Sequence, residues 1–222
     1  PHPPLIIPTV GRGREQEVQA TIGAYRTAAK QMAAREPEVL IVTSPHQIMY
    51  ADYFHISPGR GATGDMSAFG APKTELRVEY DALLRDEIVR CGEAAGLQVG
   101  TLGQRDPYLD HGTFVPLCFL REAGVDCPIL RIGLSGFSPL DHYRLGQCIA
   151  QAVESLDRKA VFIASGDLSH KLRDDGPYGF APEGPEFDRQ ITGAMAAGDF
   201  LQFLTMDPAL CDRAAECGLR SF

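Results

Sequence analysis

The chain has 222 residues, of which 44% are hydrophobic and 23% charged, and its formal net charge is −8. We expect neither a membrane span nor a signal peptide, because no apolar run reaches roughly 18 residues and no charged segment leads into one. An acidic chain without a basic stripe also argues against nucleic acid as a partner. The six cysteines form no CxxC pair, which favours a reduced, cytoplasmic protein over a disulfide framework.

Helical and strand-like patterns alternate along the chain. In order they predict a helix over 14–35, a strand at 38–44, a long loop over 45–73, a helix over 75–95, a strand at 97–101, a helix over 111–124, a strand at 127–135, a helix over 139–156, a strand at 159–165, and helices over 184–197 and 207–222. This order predicts an α/β fold. We expect a single domain over residues 1–222, with a largely parallel or mixed central β-sheet and helices on both faces.

Both ends of the sequence indicate a longer protein. The opening PHPPLIIP has the character of a loop that follows a strand, yet no strand precedes it. The final CGLRSF is expected to be helical and has no C-terminal capping residue. We therefore expect both termini to be truncated and the chain to be a fragment.

Four of the six histidines follow predicted strands or, in one case, the place where a strand is missing. His46 and His170 come soon after the strands 38–44 and 159–165, and His111 follows the strand near 97–101. His2 would follow the absent first strand. Ligands of open α/β sheets bind at the carboxyl ends of the strands, so this placement predicts a site there. The loop 45–73 is long enough to cover it.

Clustered imidazoles suit metal binding or acid–base catalysis. Two neutral imidazoles and one carboxylate, with open positions, hold Fe(II) in non-heme oxygenases, and the same donors suit zinc hydrolysis. The carboxylate candidates are Asp52, Asp110, Asp167 and Glu216. Asp110 and Asp167 each stand close in sequence to a histidine that they could orient. By spacing alone, Glu216 is more typical of a partly exposed helix residue than of a ligand.

Six segments, spread over nearly the whole chain, carry a resemblance to a known family. They are PHPPLIIP, TSPHQIMYADYFHIS, GAP at 70–72, LDHGTFVPL, ASGDLSHKL and AAECGLRSF. In this order they resemble the class III extradiol dioxygenase superfamily, the group of the LigB-like catalytic subunit of protocatechuate 4,5-dioxygenase. The sequence is most similar to the LigB-like and Memo-like domains of the AmmeMemoRadiSam system, which are often fused to a second domain.

The resemblance implies a role for each motif residue. His2, His46 and Glu216 would be the metal ligands, His170 the active-site acid/base, and His111 a residue on the substrate or oxygen side. The implied cofactor is Fe(II), with zinc or another divalent metal as the alternative. The implied partners are a small aromatic substrate and O2, together with a fused second domain and further copies of the chain. The implied reaction opens a catechol-like or aminophenol-like ring.

Two other functions stay open on the sequence. The same ligands suit a metal-dependent hydrolase, and Memo-like relatives are described as signalling or scaffold proteins. Four convergent titratable groups argue against a pure scaffold, since a scaffold has no need of them.

Overall fold

The computed structural model describes all residues from 1 to 222. The strands are β1 (Val39–Ser44), β2 (Phe54–His55), β3 (Gly61–Met66), β4 (Ala71–Glu79), β5 (Val99–Gly100), β6 (Ile129–Gly133) and β7 (Ala160–Ala164). The helices are α1 (Pro8–Gly11), α2 (Gln19–Ala33), α3 (Ala82–Ala94), α4 (His111–Glu122), α5 (Pro139–Ser155), α6 (Glu183–Ala197), α7 (Phe200–Thr205) and α8 (Pro208–Ala214). Short 3₁₀ turns cover Pro4–Ile6, Arg14–Val18 and Ser67–Phe69. None of the helices is both long and apolar enough to cross a bilayer.

The centre of the fold is a three-stranded parallel sheet in the order β6-β1-β7. Both of its faces are covered by helices, which is why β1 is apolar at successive positions. Leu40 and Val42 pack in the core that α2 and α4 share, whereas Val39 and Ile41 pack in the core of α3 and α5. The predicted fold class, an α/β domain with helices on both faces of a parallel sheet, is confirmed.

The predicted helix over 75–95 is wrong in its first part, and the predicted loop over 45–73 is wrong in its second. Residues 61–79 form an antiparallel hairpin, in which β3 pairs with β4 from Gly61 opposite Glu79. In the segment TELRVEY, Val78 and Tyr80 are buried, Thr74 and Leu76 are half-buried, and the alternate residues Glu75, Arg77 and Glu79 are exposed. This is the two-residue period of a strand. The helix begins only at Ala82, after Asp81 caps it by accepting a hydrogen bond from the Leu84 N–H.

The predicted C-terminal helix over 207–222 is also wrong beyond its first half. Its start is correct, because Asp207 caps α8 and Pro208 occupies the first turn. The helix ends at Ala214, and Ala215 takes a left-handed conformation with φ of 51°. The segment CGLRSF is therefore a series of turns, and the sequence pattern also missed the short α7. This early end lets residues 215–218 reach the carboxyl edge of the central sheet.

Candidate functional site

The predicted histidines lie around the carboxyl ends of the central strands. His46 follows β1, His170 follows β7, and His111 is the first residue of α4. His2 lies just before the first 3₁₀ turn. The ring centroids of His2, His46 and His111 are between 4.0 and 5.3 Å apart. The structure thus brings together residues that are far apart in sequence.

His2 is held in one tautomer by a short chain of hydrogen bonds. Its Nδ1 lies 3.0 Å from Ser165 Oγ, which lies 2.6 Å from the carbonyl oxygen of Gly112. Because a carbonyl only accepts, the serine proton goes to Gly112, and Ser165 accepts the Nδ1 proton of His2. Burial lowers the pKa of His2 to about 4, so the ring is neutral at pH 7. Its Nε2 therefore carries a free lone pair, 2.8 Å from Nε2 of His46.

A glycine and an aspartate place His111 beside His46. A Cβ at position 112 would lie 2.4 Å from Ser44 Oγ, so a larger residue than Gly112 would keep α4 away from the end of β1. Asp110 accepts hydrogen bonds from Ser44 Oγ at 2.6 Å and from the first-turn backbone of α4 at 2.9 Å. Burial lowers the pKa of His111, so this ring too favours its neutral form.

Asp167 and His170 form an acid–base pair next to His2. His170 Nδ1 donates to the carbonyl oxygen of Ala215, so its Nε2 is the nitrogen left for proton exchange. That Nε2 lies 3.6 Å from the Asp167 carboxylate, which raises the pKa of His170. Burial acts to raise the pKa of Asp167, but the contacts with His170 and His2 outweigh it and hold the pKa at about 2. Asp167 Oδ1 also accepts a hydrogen bond from the backbone N–H of His2 at 2.7 Å.

The turn after α8 closes the site from the C-terminal side. A Cβ at Gly166 would lie 2.2 Å from the Cα of Gly218, so the two backbones approach this closely only because residue 166 has no side chain. This contact places Cys217 Sγ 3.9 Å from His2 Nε2. Burial raises the pKa of the Cys217 thiol to about 11.

Glu216 lies in the same turn, but its carboxylate contacts the backbone of that turn rather than His2. Its Oε2 accepts a hydrogen bond from the Leu219 N–H at 2.7 Å, and burial raises its pKa. Two groups of side chains have ligand atoms within 4.8 Å of one another, namely His2, His46 and Cys217, and Asp167, His170 and Cys217. Glu216 belongs to neither group, and its predicted role as a ligand stays a prediction.

The donor set fits a divalent transition-metal ion. Two nitrogens bound to one ion at about 2.1 Å and at roughly right angles would be about 3 Å apart. The 2.8 Å between Nε2 of His2 and Nε2 of His46 is close to that value. The hydrogen bond from His2 Nδ1 to Ser165 is the kind of outer contact that fixes a metal-binding histidine.

Two exposed aromatic rings stand beside the histidines. Phe69, in the turn between β3 and β4, lies 5.6 Å from His111, and Tyr178 lies 4.9 Å from His170 by ring centroids. The loop 45–73, which was expected to cover the site, thus reaches it through the turn of the hairpin.

An apolar cavity of about 540 Å³ lies elsewhere, between α5 and α7. None of the clustered histidines and neither of the two exposed aromatic rings lines it.

The remaining candidates lie outside the cluster. His55 Nδ1 is 3.0 Å from the Leu102 carbonyl, and His142 is bonded through both ring nitrogens to backbone atoms. Both rings contact backbone atoms away from the cluster. Asp52 is exposed, and Asp110 serves as the cap of α4.

Sequence reasoning missed two contributors to the site. Ser165 is the last residue of an apolar run, and nothing in the pattern distinguishes it from a turn residue. Cys217 belongs to no CxxC pair, and a cysteine outside such a pair is most often a small apolar residue. Its position directly after Glu216 in the ECG motif is the one signal that would have singled it out.

Comparison with known proteins gives the family. The family model described as the catalytic LigB subunit of aromatic ring-opening dioxygenase matches residues 1–222. The chain belongs to this LigB family, within the class III extradiol dioxygenase superfamily that the motifs indicated. No comparison bears on the AmmeMemoRadiSam system, so that link stays a prediction.

The relatives include named dioxygenases. The chain is 35% identical to Protein CA_C1420 of Clostridium acetobutylicum, over 100% of this chain and 49% of that protein. It is 28% identical to 3,4-dihydroxyphenylacetate 2,3-dioxygenase of Escherichia coli, over 78% of this chain and 63% of the enzyme. It is 27% identical to 2,3-dihydroxyphenylpropionate/2,3-dihydroxicinnamic acid 1,2-dioxygenase of Escherichia coli, over 67% of this chain and 48% of the enzyme. The chain thus spans about half to two thirds of these relatives.

A solved structure supports the fold alone. The crystal structure of the uncharacterized protein JW3007 from Escherichia coli K12 superposes with a TM-score of 0.59 at 15% identity. The match covers 88% of this chain and 79% of that one.

Proposed function

We propose that this chain is the catalytic part of an extradiol-type dioxygenase, which opens a catechol-like or aminophenol-like ring with O2. The observation that carries the proposal is the convergence of the His2 and His46 Nε2 atoms beside the Asp167–His170 pair. Membership of the LigB family and the two named dioxygenase relatives support it. Both atoms of O2 would enter the ring-opened product.

The proposed metal is Fe(II), held by His2, His46 and Glu216. When bound, it would supply the route for electrons between the diol and O2, which do not react directly. The neutral His2 ring, with its lone pair free and its other nitrogen bonded to Ser165, is ready to serve as a ligand. His46 is the exposed member of the pair and so lies on the side from which substrate would enter.

His170 is the proposed general base. Its Nε2 would take a proton from one substrate hydroxyl, and the Asp167 carboxylate would stabilise the imidazolium that forms. The contact that raises the pKa of His170 strengthens it as a base near neutral pH. Neutral His111, at the N-terminus of α4, would donate a hydrogen bond to charge that develops on the substrate. The exposed rings of Phe69 and Tyr178 would border a planar aromatic ligand.

The test is anaerobic reconstitution of the protein with Fe(II), followed by O2 uptake on a panel of catechols and aminophenols. We expect at least one diol to stimulate uptake. His170→Ala should retain iron but lose turnover, while His46→Ala should lose iron. If no diol stimulates uptake, or if both variants match the wild type, the proposal is wrong.

The third ligand is tested separately, by metal content. Glu216→Gln should lose iron and Cys217→Ser should retain it if Glu216 is the ligand. The reverse result would transfer that role to Cys217, whose sulfur is nearer the two imidazoles in the structure.

The position of Cys217 favours one alternative function. A thiol beside two imidazoles is a donor set that suits zinc, and zinc supports hydrolysis rather than oxygen chemistry. Zinc in the purified protein, with no O2 uptake on any diol, would support a metal-dependent hydrolase.

A further inference from the structure

A second cavity, away from the histidine cluster, is lined by three arginines. It has a volume of about 570 Å³ and lies between the start of β3, the end of β4 and the loop that precedes α4. Its lining includes three arginines. Arg60 directly precedes β3, Arg77 lies near the end of β4, and Arg105 lies in the loop before α4. We call it the arginine cavity.

These three arginines have no carboxylate partner. Ten of the other arginines form ion pairs with Asp or Glu, but Arg60, Arg77 and Arg105 form none. Their side chains also donate no hydrogen bond within the chain, in contrast to neighbouring Arg85, which donates to the Gly59 carbonyl at 3.2 Å. Four further arginines, Arg12, Arg14, Arg35 and Arg220, also form no ion pair, but none of them lines this cavity.

Nearby carboxylates are already engaged elsewhere. Asp81 caps α3 and pairs with Arg158, and Asp106 accepts from the Tyr108 N–H and lies 3.8 Å from the buried Arg131. Glu79 is the one acidic residue in the lining. With three arginines against one glutamate, the lining favours an anion.

A glycine lets one guanidinium lie close to the cavity wall. Gly59 has a φ of 90°, which favours glycine, and a Cβ there would lie 3.0 Å from Nη2 of Arg105. A side chain at this position would require the Arg105 guanidinium to shift by a few tenths of an ångström. The glycine therefore leaves room for Arg105 to approach the segment that carries Arg60.

We propose that the arginine cavity binds a small molecule through a phosphate or diphosphate group. Each guanidinium group presents paired N–H donors that match the spacing of phosphate oxygens. Three guanidinium groups offer more N–H donors than the two oxygens of one carboxylate can accept. The cavity is larger than one phosphate needs and falls in the size range of sites for small molecules, so the anion would be part of a larger ligand. This site is separate from the proposed ring-cleavage site and does not depend on it.

The test uses calorimetric titration of the protein with inorganic pyrophosphate, inorganic phosphate and citrate at equal ionic strength. Arg77→Ala and Arg105→Ala each remove one exposed guanidinium from the lining. Arg35→Ala is the matched control, because Arg35 is exposed, unpaired and outside the cavity. Glu79→Gln removes the one opposing charge.

We expect pyrophosphate to bind at one site, roughly tenfold more weakly in each cavity variant. Binding should be unchanged in Arg35→Ala and tighter in Glu79→Gln. The proposal fails if pyrophosphate does not bind saturably, or if Arg35→Ala weakens it as much as Arg105→Ala does. Binding of citrate in preference to pyrophosphate would overturn the assignment to phosphate.

Discussion

At the scale of single residues, hydrogen bonds to ring nitrogens decide what each histidine can do. Ser165 takes the Nδ1 proton of His2, and the Ala215 carbonyl takes the Nδ1 proton of His170. Both rings are therefore left with a free Nε2. One of these atoms lies close to His46, and the other lies close to Asp167. The same residue type thus serves two purposes because its neighbours differ.

The role of Ser165 predicts an effect on metal affinity. In Ser165→Ala the Nδ1 proton of His2 loses its acceptor, and the tautomer with Nε2 free is no longer favoured. We expect the affinity for Fe(II) or Co(II) to fall roughly 10- to 100-fold, as for other outer contacts of ligating histidines. Competition with a chelator measures it, and Ser155→Ala, on α5, is the control. Wild-type affinity in Ser165→Ala would contradict this role.

The role of Asp167 predicts a change in the titration of His170. The Asp167 carboxylate raises the pKa of His170, so Asp167→Asn should lower it. NMR titration of the histidine ring protons in metal-free protein measures the shift. Asp175→Asn, which removes an exposed charge from the same loop, should leave His170 unchanged.

The sign of the accompanying stability effect follows from linkage. Because the folded pKa of His170 lies above its unfolded value, the pair stabilises the fold below the unfolded pKa and loses this contribution as the pH rises through the folded pKa. Asp167→Asn should therefore cost more stability at pH 5 than at pH 8. An equal cost at both values would mean that the two residues are not coupled.

At the scale of elements, the site depends on where strands and helices end. The early end of α8 frees residues 215–218 to lie against the segment after β7. The contact between Gly166 and Gly218 sets this distance, which in turn sets the position of Cys217. An element boundary, rather than any one side chain, thus completes the site.

Two glycine-to-alanine substitutions should have opposite effects. Gly166→Ala would force the backbone of Gly218 away, and we expect it to destabilise the protein by about 1–3 kcal/mol and to weaken metal binding. Gly193→Ala, in the exposed interior of α6, meets no atom within 4 Å and should stabilise by roughly 0.5–1 kcal/mol. Urea denaturation measures both. A neutral Gly166→Ala would show that this contact can relax.

At the scale of the whole molecule, a buried arginine connects the central sheet to the site. Arg131 on β6 is fully buried, and its Nη1 donates to the Tyr108 carbonyl at 2.8 Å. It also lies 3.6 Å from the carboxylate of Asp110, the residue that caps α4 before His111. The charge of Arg131 thus supports the loop that positions His111.

Removing the charge of Arg131 should destabilise the fold. Arg131→Met would leave Asp110 without its buried partner, and we expect a loss of about 3–5 kcal/mol in the free energy of unfolding. Exposed Arg35→Met should change it by less than about 0.5 kcal/mol. Denaturant titration of both variants tests this expectation, and a loss below about 1 kcal/mol in Arg131→Met would refute it.

The sequence by itself determined the fold class, the family and the four histidines at strand ends. The fold class follows from local periodicity, and the family and the histidines follow from short motifs. Both kinds of pattern depend only on residues that are close together in the sequence. It did not reveal the hairpin over residues 61–79, because β3 has few apolar residues and is defined by its pairing with β4. It also could not place the end of α8. Ala215 takes a left-handed conformation there, and its carbonyl oxygen contacts His170, which is distant in sequence.

Only the tertiary structure decided which atoms face one another. His2 bonds to Asp167 across 165 residues of sequence, and its Nδ1 meets Ser165 across 163. No local pattern encodes such pairs, because they join the N-terminal segment to the residues that follow β7. The choice of tautomer, the Asp167–His170 pair and the approach of Cys217 all depend on these distant contacts. The sequence named the histidines, and their surroundings in the fold set the chemistry that each can perform.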